Sequence, residues 1–468
     1  MERIAMMALV ALMISVGCYA ENYTTAGNGT TWTLTKLAET EGSGVTKEGT
    51  TFTLANKVVV AKGDNFELEA GIQVLMPKDV DLLIEGTAKL DVPDDKRVLF
   101  THTAEDVKSG MLNINRDDAV TKVKNIDFEY VGLKSFGEKG LEVDSCTFRN
   151  HVYTSNNGSC ALSMGGNGAE FVVRSCIFEK NERSAIGGSA NSANPVLIEN
   201  CQFLDNGTHN RNYPQVNLTA ASQVTIRGCV VIGNRDKMRV GGIIVSNLVG
   251  AAQNAHLLIE NCFVKDAAYG ISVYSDQTAI VRNNVLINND RVAAASQGGS
   301  GLNVTDSSGK QETKFTGNVV IGSFWGASII GGKNINFGRI DVLETDENYN
   351  PGQNVFYNNG NGEPYVAYDL YNNSAKTIYA QNNFWLTAAS FKAEGIDKVI
   401  NDKKDNDSLG EVIYQLPNAT LEPSSIAAIQ RALSNVQAVY NLSGMQTNDL
   451  KQGLNIVVKD GKAIKVMK

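Results

Sequence analysis

Three short segments of the chain combine cations, carboxylates and a tyrosine: Asn234-Arg235-Asp236-Lys237-Met238-Arg239, Lys265-Asp266 with Tyr269, and Asn289-Asp290-Arg291. Tyr274, Asp276 and Asp306 lie a little further along. These residue types suit the removal of a proton from a carbon beside a carboxyl group. A base takes the proton, and a cation, or calcium held by carboxylates, stabilises the enolate that develops. In that scheme Lys237 and Arg239 abstract the proton or stabilise the enolate. Lys265, Tyr269, Tyr274 and Arg291 contact the substrate, and Asp236, Asp266 and Asp290 hold calcium. His209, followed by Asn210-Arg211-Asn212-Tyr213, either extends this set or is an ordinary loop residue. Trp325 is a candidate sugar platform. The competing reading is simple: loops that face water are charged whatever else they do.

Those segments could act together only if the chain returned them to one place, and a repeat supplies the means. Its pattern is apolar-x-apolar, two turn residues, Cys or Asn, x, apolar. Val196-x-Ile198-Glu199-Asn200-Cys201-x-Phe203 is a clear copy, as are Phe171 to Phe178 and Leu257 to Val264. The Cys position can be followed through Ile126, Cys146, Cys176, Cys201, Cys229, Cys262, Asn284, Asn318, Asn354 and Asn383, with the copy at Asn354 keeping only its second half. Alternation of period two on both sides of a sharp corner describes two short strands with apolar faces turned the same way. The corner residue is Asn125, Ser145, Asn200, Gly228, Asn261, Asn283, Gly317 or Asn382, types that tolerate a left-handed backbone or bond their own main chain.

A third apolar strand precedes each copy, often opening with small residues, as in Gly241-Gly242-Ile243-Ile244-Val245 and Tyr269-Gly270-Ile271-Ser272-Val273. Three strands per coil predict an all-β, right-handed parallel β-helix of about 11–13 coils, whose stacked turns share one core that no single coil could close. The repeat has no leucine consensus and no helix-length segment, which argues against a leucine-rich solenoid. Stacking would then carry the three charged segments into one strip beside the first strand of each following coil. Residues Phe66 to Thr101 resemble the opening coils of bacterial surface β-helix proteins. Tyr368-Asp369-Leu370-Tyr371-Asn372-Asn373 and Tyr379 to Trp385 resemble their closing coil. The resemblance implies a pectate-lyase-like architecture over about residues 45–415, and no catalytic residues, since these segments are structural in that class.

Seven cysteines invite a disulfide reading. Five of them, Cys146, Cys176, Cys201, Cys229 and Cys262, share one inward column. In-register parallel side chains do not favour the torsion a disulfide needs, so a buried thiol stack is expected, continued by Asn284, Asn318 and Asn383. Trp385 is likewise expected inside. No CxxC pair, HExxH, nucleophile elbow, phosphate loop, Gly-His-Gly or DPxD-type motif occurs, and the pairs Asp94-Asp95 and Asp117-Asp118 read as solvated turns.

The two ends carry their own signals. Arg3, then the apolar run Ala5 to Val16, then small residues to Ala20 read as a signal peptide over residues 1–20, too short to span a membrane. Cleavage before Glu21 competes with a loose lipobox that would make Cys18 a lipid anchor. Residues 424–468, with a helical stretch Ile426 to Leu433, then Val439-Tyr440-Asn441-Leu442-Ser443-Gly444 and Gly453 to Val458, resemble the C-terminal sorting modules of secreted Bacteroidetes proteins. A small capping module is the alternative. The net charge of −8 argues against nucleic acid. The chain is thus expected to be an exported monomer without a transmembrane segment, with residues 21–415 forming the β-helix. It would bind or process an extracellular polysaccharide, as a uronate lyase in the catalytic version. The alternative is a structural or adhesive solenoid with no active site.

Overall fold

A computed structural model describes residues 22–415, apart from 104–107, 117–118, 154–159, 167, 189–193, 220–221, 248–254, 275, 292–297, 361–367 and 388–394, together with the strands of 438–467. The signal segment and the stretch Ile426 to Leu433 lie outside the described residues. Among those described, three sheets of fourteen strands each run the length of residues 23–413, parallel throughout except where Val45–Glu48 pairs antiparallel with Thr51–Leu54. Each coil visits the three sheets in turn. One coil contributes Val216–Thr219 to the first sheet, Gln223–Arg227 to the second and Val230–Ile232 to the third. The next contributes Ile243–Ser246, Ala255–Glu260 and Phe263–Lys265, paired in register with the strands before. This is the expected right-handed parallel β-helix. It begins earlier than the repeat does, with rungs at Tyr23–Thr24 and Thr31–Trp32, so its strands slightly outnumber the expected coils.

The corner between second and third sheets is where the sequence placed it. Asn125, Ser145, Ser175, Asn200, Asn261, Asn283 and Asn382 all have φ between +52° and +58°, with Gly228 and Gly317 at +64° and +63°. A side chain there is costly unless it is short and polar, which accounts for the residue types. The following residue turns inward, and Cys146, Cys176, Cys201, Cys229 and Cys262 form one buried column of free thiols. Their Sγ atoms face backbone carbonyls, as with Cys201 on Glu199 O at 3.3 Å. Asn284, Asn318, Asn354 and Asn383 continue the column as a hydrogen-bonded ladder. Each side-chain oxygen accepts from the backbone N–H of the residue one rung earlier at 2.9 to 3.1 Å. Beside it Phe100, Phe128, Phe148, Phe178 and Phe203 stack with centroids 4.7 to 5.6 Å apart, and Trp385 stacks on Phe356 inside, as expected.

Two features go beyond the sequence reading. A second left-handed corner joins third to first sheet, at Tyr130, Asn150, Lys180, Asp205, Asp266, Asn288 and Asn358. It is followed by its own inward polar ladder, with Asn181 bonded to Asn206, and Asn359 to the backbone of Ser323. In addition, the copy at Asn354 does have a first half, the second-sheet strand Asn334–Gly338. An insertion separates the halves. Its ends meet in an antiparallel bridge between Arg339 and Asn350, and it folds back on the outer face of the second sheet.

Residues Ala438–Tyr440, Gln446–Thr447, Leu454–Lys459 and Lys462–Met467 form a separate four-stranded antiparallel sheet. No helix among the described residues is long and apolar enough to cross a membrane.

Candidate functional site

The corner from third to first sheet carries the charged segments, and stacking brings part of them together. Asp266 is the left-handed corner residue of its coil, so backbone geometry alone explains its type. Its carboxylate, 9 % exposed, receives Arg235 Nη1 at 2.9 Å and Lys265 Nζ at 2.8 Å. Arg235 also reaches Asp290, on the next rung, at 3.4 Å, and Arg291 pairs with Asp290 in turn. Partial burial works against the charge on Arg235. The hydrogen bond to Asp266 and the field of both carboxylates outweigh it and hold the guanidinium proton more firmly than usual. Three cations therefore enclose two carboxylates.

This arrangement corrects the calcium assignment. Asp266 and Asp290 give their oxygens to Arg235, Lys265 and Arg291, and Asp236 is exposed on the preceding loop. Among the described residues no three acidic, histidine or cysteine side chains converge as a metal ion requires. Calcium needs carboxylate oxygens turned toward one point, and those of Asp266 and Asp290 are turned to cations instead.

Tyr269 is corrected as well. It is 7 % exposed, its ring lies over Gly241, and burial pushes its phenol well above the ordinary tyrosine range. It is a packing residue, and Gly241, just ahead of the first-sheet strand Ile243–Ser246, leaves room for its ring. A Cβ on Gly241 would come within 2.1 Å of Tyr269 Cζ. Gly241→Ala should therefore cost about 1–3 kcal/mol by overpacking, read as a lower thermal midpoint, and Tyr269→Ala in the same chain should recover part of it. If Gly241→Ala unfolds at the parent temperature, the ring is not packed there.

Tyr274 closes the first-sheet strand Ile271–Tyr274 at the end away from this corner, so it does not join the cluster. Asp276 pairs with Lys310 at 3.3 Å. Asp306 caps a turn, accepting from the backbone of Ser308 and Gln311 at 2.8 Å; burial opposes its charge, but these bonds prevail and hold its carboxyl below the usual range. Trp325 is 5 % exposed and packs beside Tyr371, so it is no exposed platform.

Lys237 and Arg239 remain as surface cations. Lys237 is half-exposed, Arg239 exposed, and neither forms an ion pair among the described residues. The Arg239 backbone N–H donates to Asn210 Oδ1 at 3.2 Å, which ties this loop to the loop one rung earlier. There His209 Nδ1 stands 3.2 Å from Glu182 Oε1. The Arg183 guanidinium lies 3.3 Å from the Tyr153 ring centre and 4.9 Å from that of Tyr213. The strip thus continues through Glu182, Arg183 and Tyr153, which the sequence reading missed. One signal was available: Glu182 and Arg183 follow the inward Asn181 much as His209 follows the inward Asn206.

The sequence pattern of the right-handed β-helix region matches residues 110–249 and 208–320. No curated protein matches the chain. Among solved structures it is similar to the periplasmic alginate epimerase AlgG and to a double mutant of that enzyme. In each case identity is 10 %, coverage 83 % of this chain and 84 % of the other, and the TM-score 0.44.

Proposed function

We propose that this chain is an exported β-helix protein that binds an acidic extracellular polysaccharide along the strip at the third-to-first corner. The observation that carries the reading is the surplus of cations there in a chain of net charge −8. Among the described residues Lys237 and Arg239 have no carboxylate partners, and they stand next to a cluster in which Arg235, Lys265 and Arg291 outnumber Asp266 and Asp290. Adjacent rungs are only about 5 Å apart, so these charges act jointly on one extended polyanion. Export follows from residues 1–20, with Cys18 as an anchor in the lipoprotein version. The module at 424–468 would serve Bacteroidetes-type surface sorting. Its acidic-glycan partner would lie outside the cell.

Arg239 fits charge neutralisation rather than proton abstraction, since a guanidinium keeps its proton throughout the physiological range. Uronate elimination is the second reading, favoured by the His209–Glu182 pair at the end of the same strip. A carboxylate that orients an imidazole is a common general-base arrangement. Changing Lys237, Arg239 and Arg291 together to alanine should weaken binding of polymannuronate and polygalacturonate at least tenfold, and the parent's affinity should fall steeply with salt. Unaltered affinity would place the site elsewhere. Ultraviolet absorbance from a new carbon–carbon double bond, lost in His209→Ala, would establish elimination; its absence in the parent would leave binding alone.

A further inference from the structure

The insertion that splits the Asn354 copy builds a second recess, on a different face of the solenoid from the cationic strip. It encloses about 520 Å³ between the outer face of the second sheet and the segment 347–348, within the range of small-molecule sites. Its floor comes from successive rungs: Thr278 and Ile280 on one, Glu312 and Lys314 on the next, then Asn334. Its wall is fixed in place. Lys314 Nζ bonds the backbone carbonyls of Glu347 and Tyr349, Asn334 Nδ2 donates to Asn348 Oδ1 at 3.1 Å, and Asn336 Nδ2 donates to Asn348 O at 2.7 Å.

The lining indicates what would fit. Its ionised side chains are two lysines and two glutamates, and Lys333 pairs with Glu312 at 2.5 Å, so the recess has no net charge to attract a polyanion. The Thr278 hydroxyl both donates and accepts, and Asn334 and Asn348, although bonded to each other, each keep a second amide hydrogen and a further oxygen lone pair for a ligand hydroxyl. Ile280, 40 % exposed, adds an apolar patch to the floor, and the outward Leu258 stands beside it on the preceding rung. A ligand with an apolar face and a rim of hydroxyls meets all three conditions. We infer that this recess is a binding site for a neutral oligosaccharide, separate from the acidic-glycan strip.

The test is calorimetric titration of the full chain with cellohexaose, xylohexaose, mannohexaose and maltohexaose, with oligogalacturonate as the charged comparison. At least one neutral hexasaccharide should bind. Its affinity should fall tenfold or more in Ile280→Arg and in Glu312→Ala, and stay unchanged in the Lys237, Arg239 and Arg291 triple variant. Circular dichroism and the thermal midpoint verify that both single variants, which alter exposed or half-exposed groups, remain folded. Failure of all four neutral sugars to bind at millimolar concentration would overturn the inference. So would equal affinity in the parent and both folded variants, or tighter binding of oligogalacturonate at this recess.

Discussion

Asn318→Ala is expected to lower stability by about 3–5 kcal/mol, whereas Cys201→Ala, in the same inward column, should lower it by only about 1–2 kcal/mol. Asn318 Oδ1 accepts from the backbone N–H of Asn284 at 3.1 Å and from its Nδ2 at 3.0 Å. Its own Nδ2 donates to Val281 O and to Asn354 Oδ1, both at 2.9 Å. Alanine would leave the Asn284 N–H and the Val281 carbonyl buried without these partners, and such orphaned groups cost more than a lost bond in water. Cys201 makes only weak sulfur contacts, so its removal mainly forfeits a small apolar volume. Urea midpoints of the two variants measure the difference. Equal losses would mean that the asparagine ladder adds nothing beyond shape.

The second large effect concerns pH. Asp369 is fully buried in the first-sheet strand Tyr368–Asn372, where it accepts from Asn359 Nδ2 at 2.9 Å and from Thr387 Oγ1 at 2.5 Å. Burial outweighs these bonds and pushes its carboxyl up to about 7. In the unfolded chain the same group titrates near pH 3.9. The folded state therefore holds the proton more tightly, and stability falls as pH rises from about 4 to about 7. The gap between the two titration points corresponds to about 4 kcal/mol, all of it lost above pH 7. Asp369→Asn, which keeps the accepting oxygen and carries no charge, should remove that part of the pH dependence and be the more stable form at pH 8. If thermal midpoints of parent and variant run parallel from pH 4 to 8, Asp369 does not hold its proton at neutral pH.

The solenoid could be read from residue types because its first corner admits few of them. A left-handed residue between two strands had to be Asn, Ser or Gly at nearly every rung. The second corner left a weaker trace: Asn150, Asp205, Asp266, Asn288 and Asn358 are types that suit a left-handed backbone, but Tyr130 and Lys180 interrupt the pattern, held there by coil geometry. The strip was legible as a set of charged loops and illegible as a set of contacts. Arg235 meets Asp266 across 31 residues and Asp290 across 55, distances that only the stacking of rungs closes. For the same reason Asp266 and Asp290 looked like free calcium ligands, although a guanidinium already lay between them. Tyr269 was misplaced because its exposure depends on Gly241, one rung away. Trp325 failed similarly, covered by neighbours from other coils.

The most direct test of the acidic-glycan reading is a hydrogen-exchange footprint of the full chain with and without polymannuronate at low salt. Protection is expected at residues 209–213, 234–240 and 288–291, three loops far apart in sequence, the first two on successive rungs and the third one rung beyond the Asp266 corner, and it should disappear at high salt. Protection confined to other coils, or no protection at a polyanion concentration that saturates binding, would contradict it.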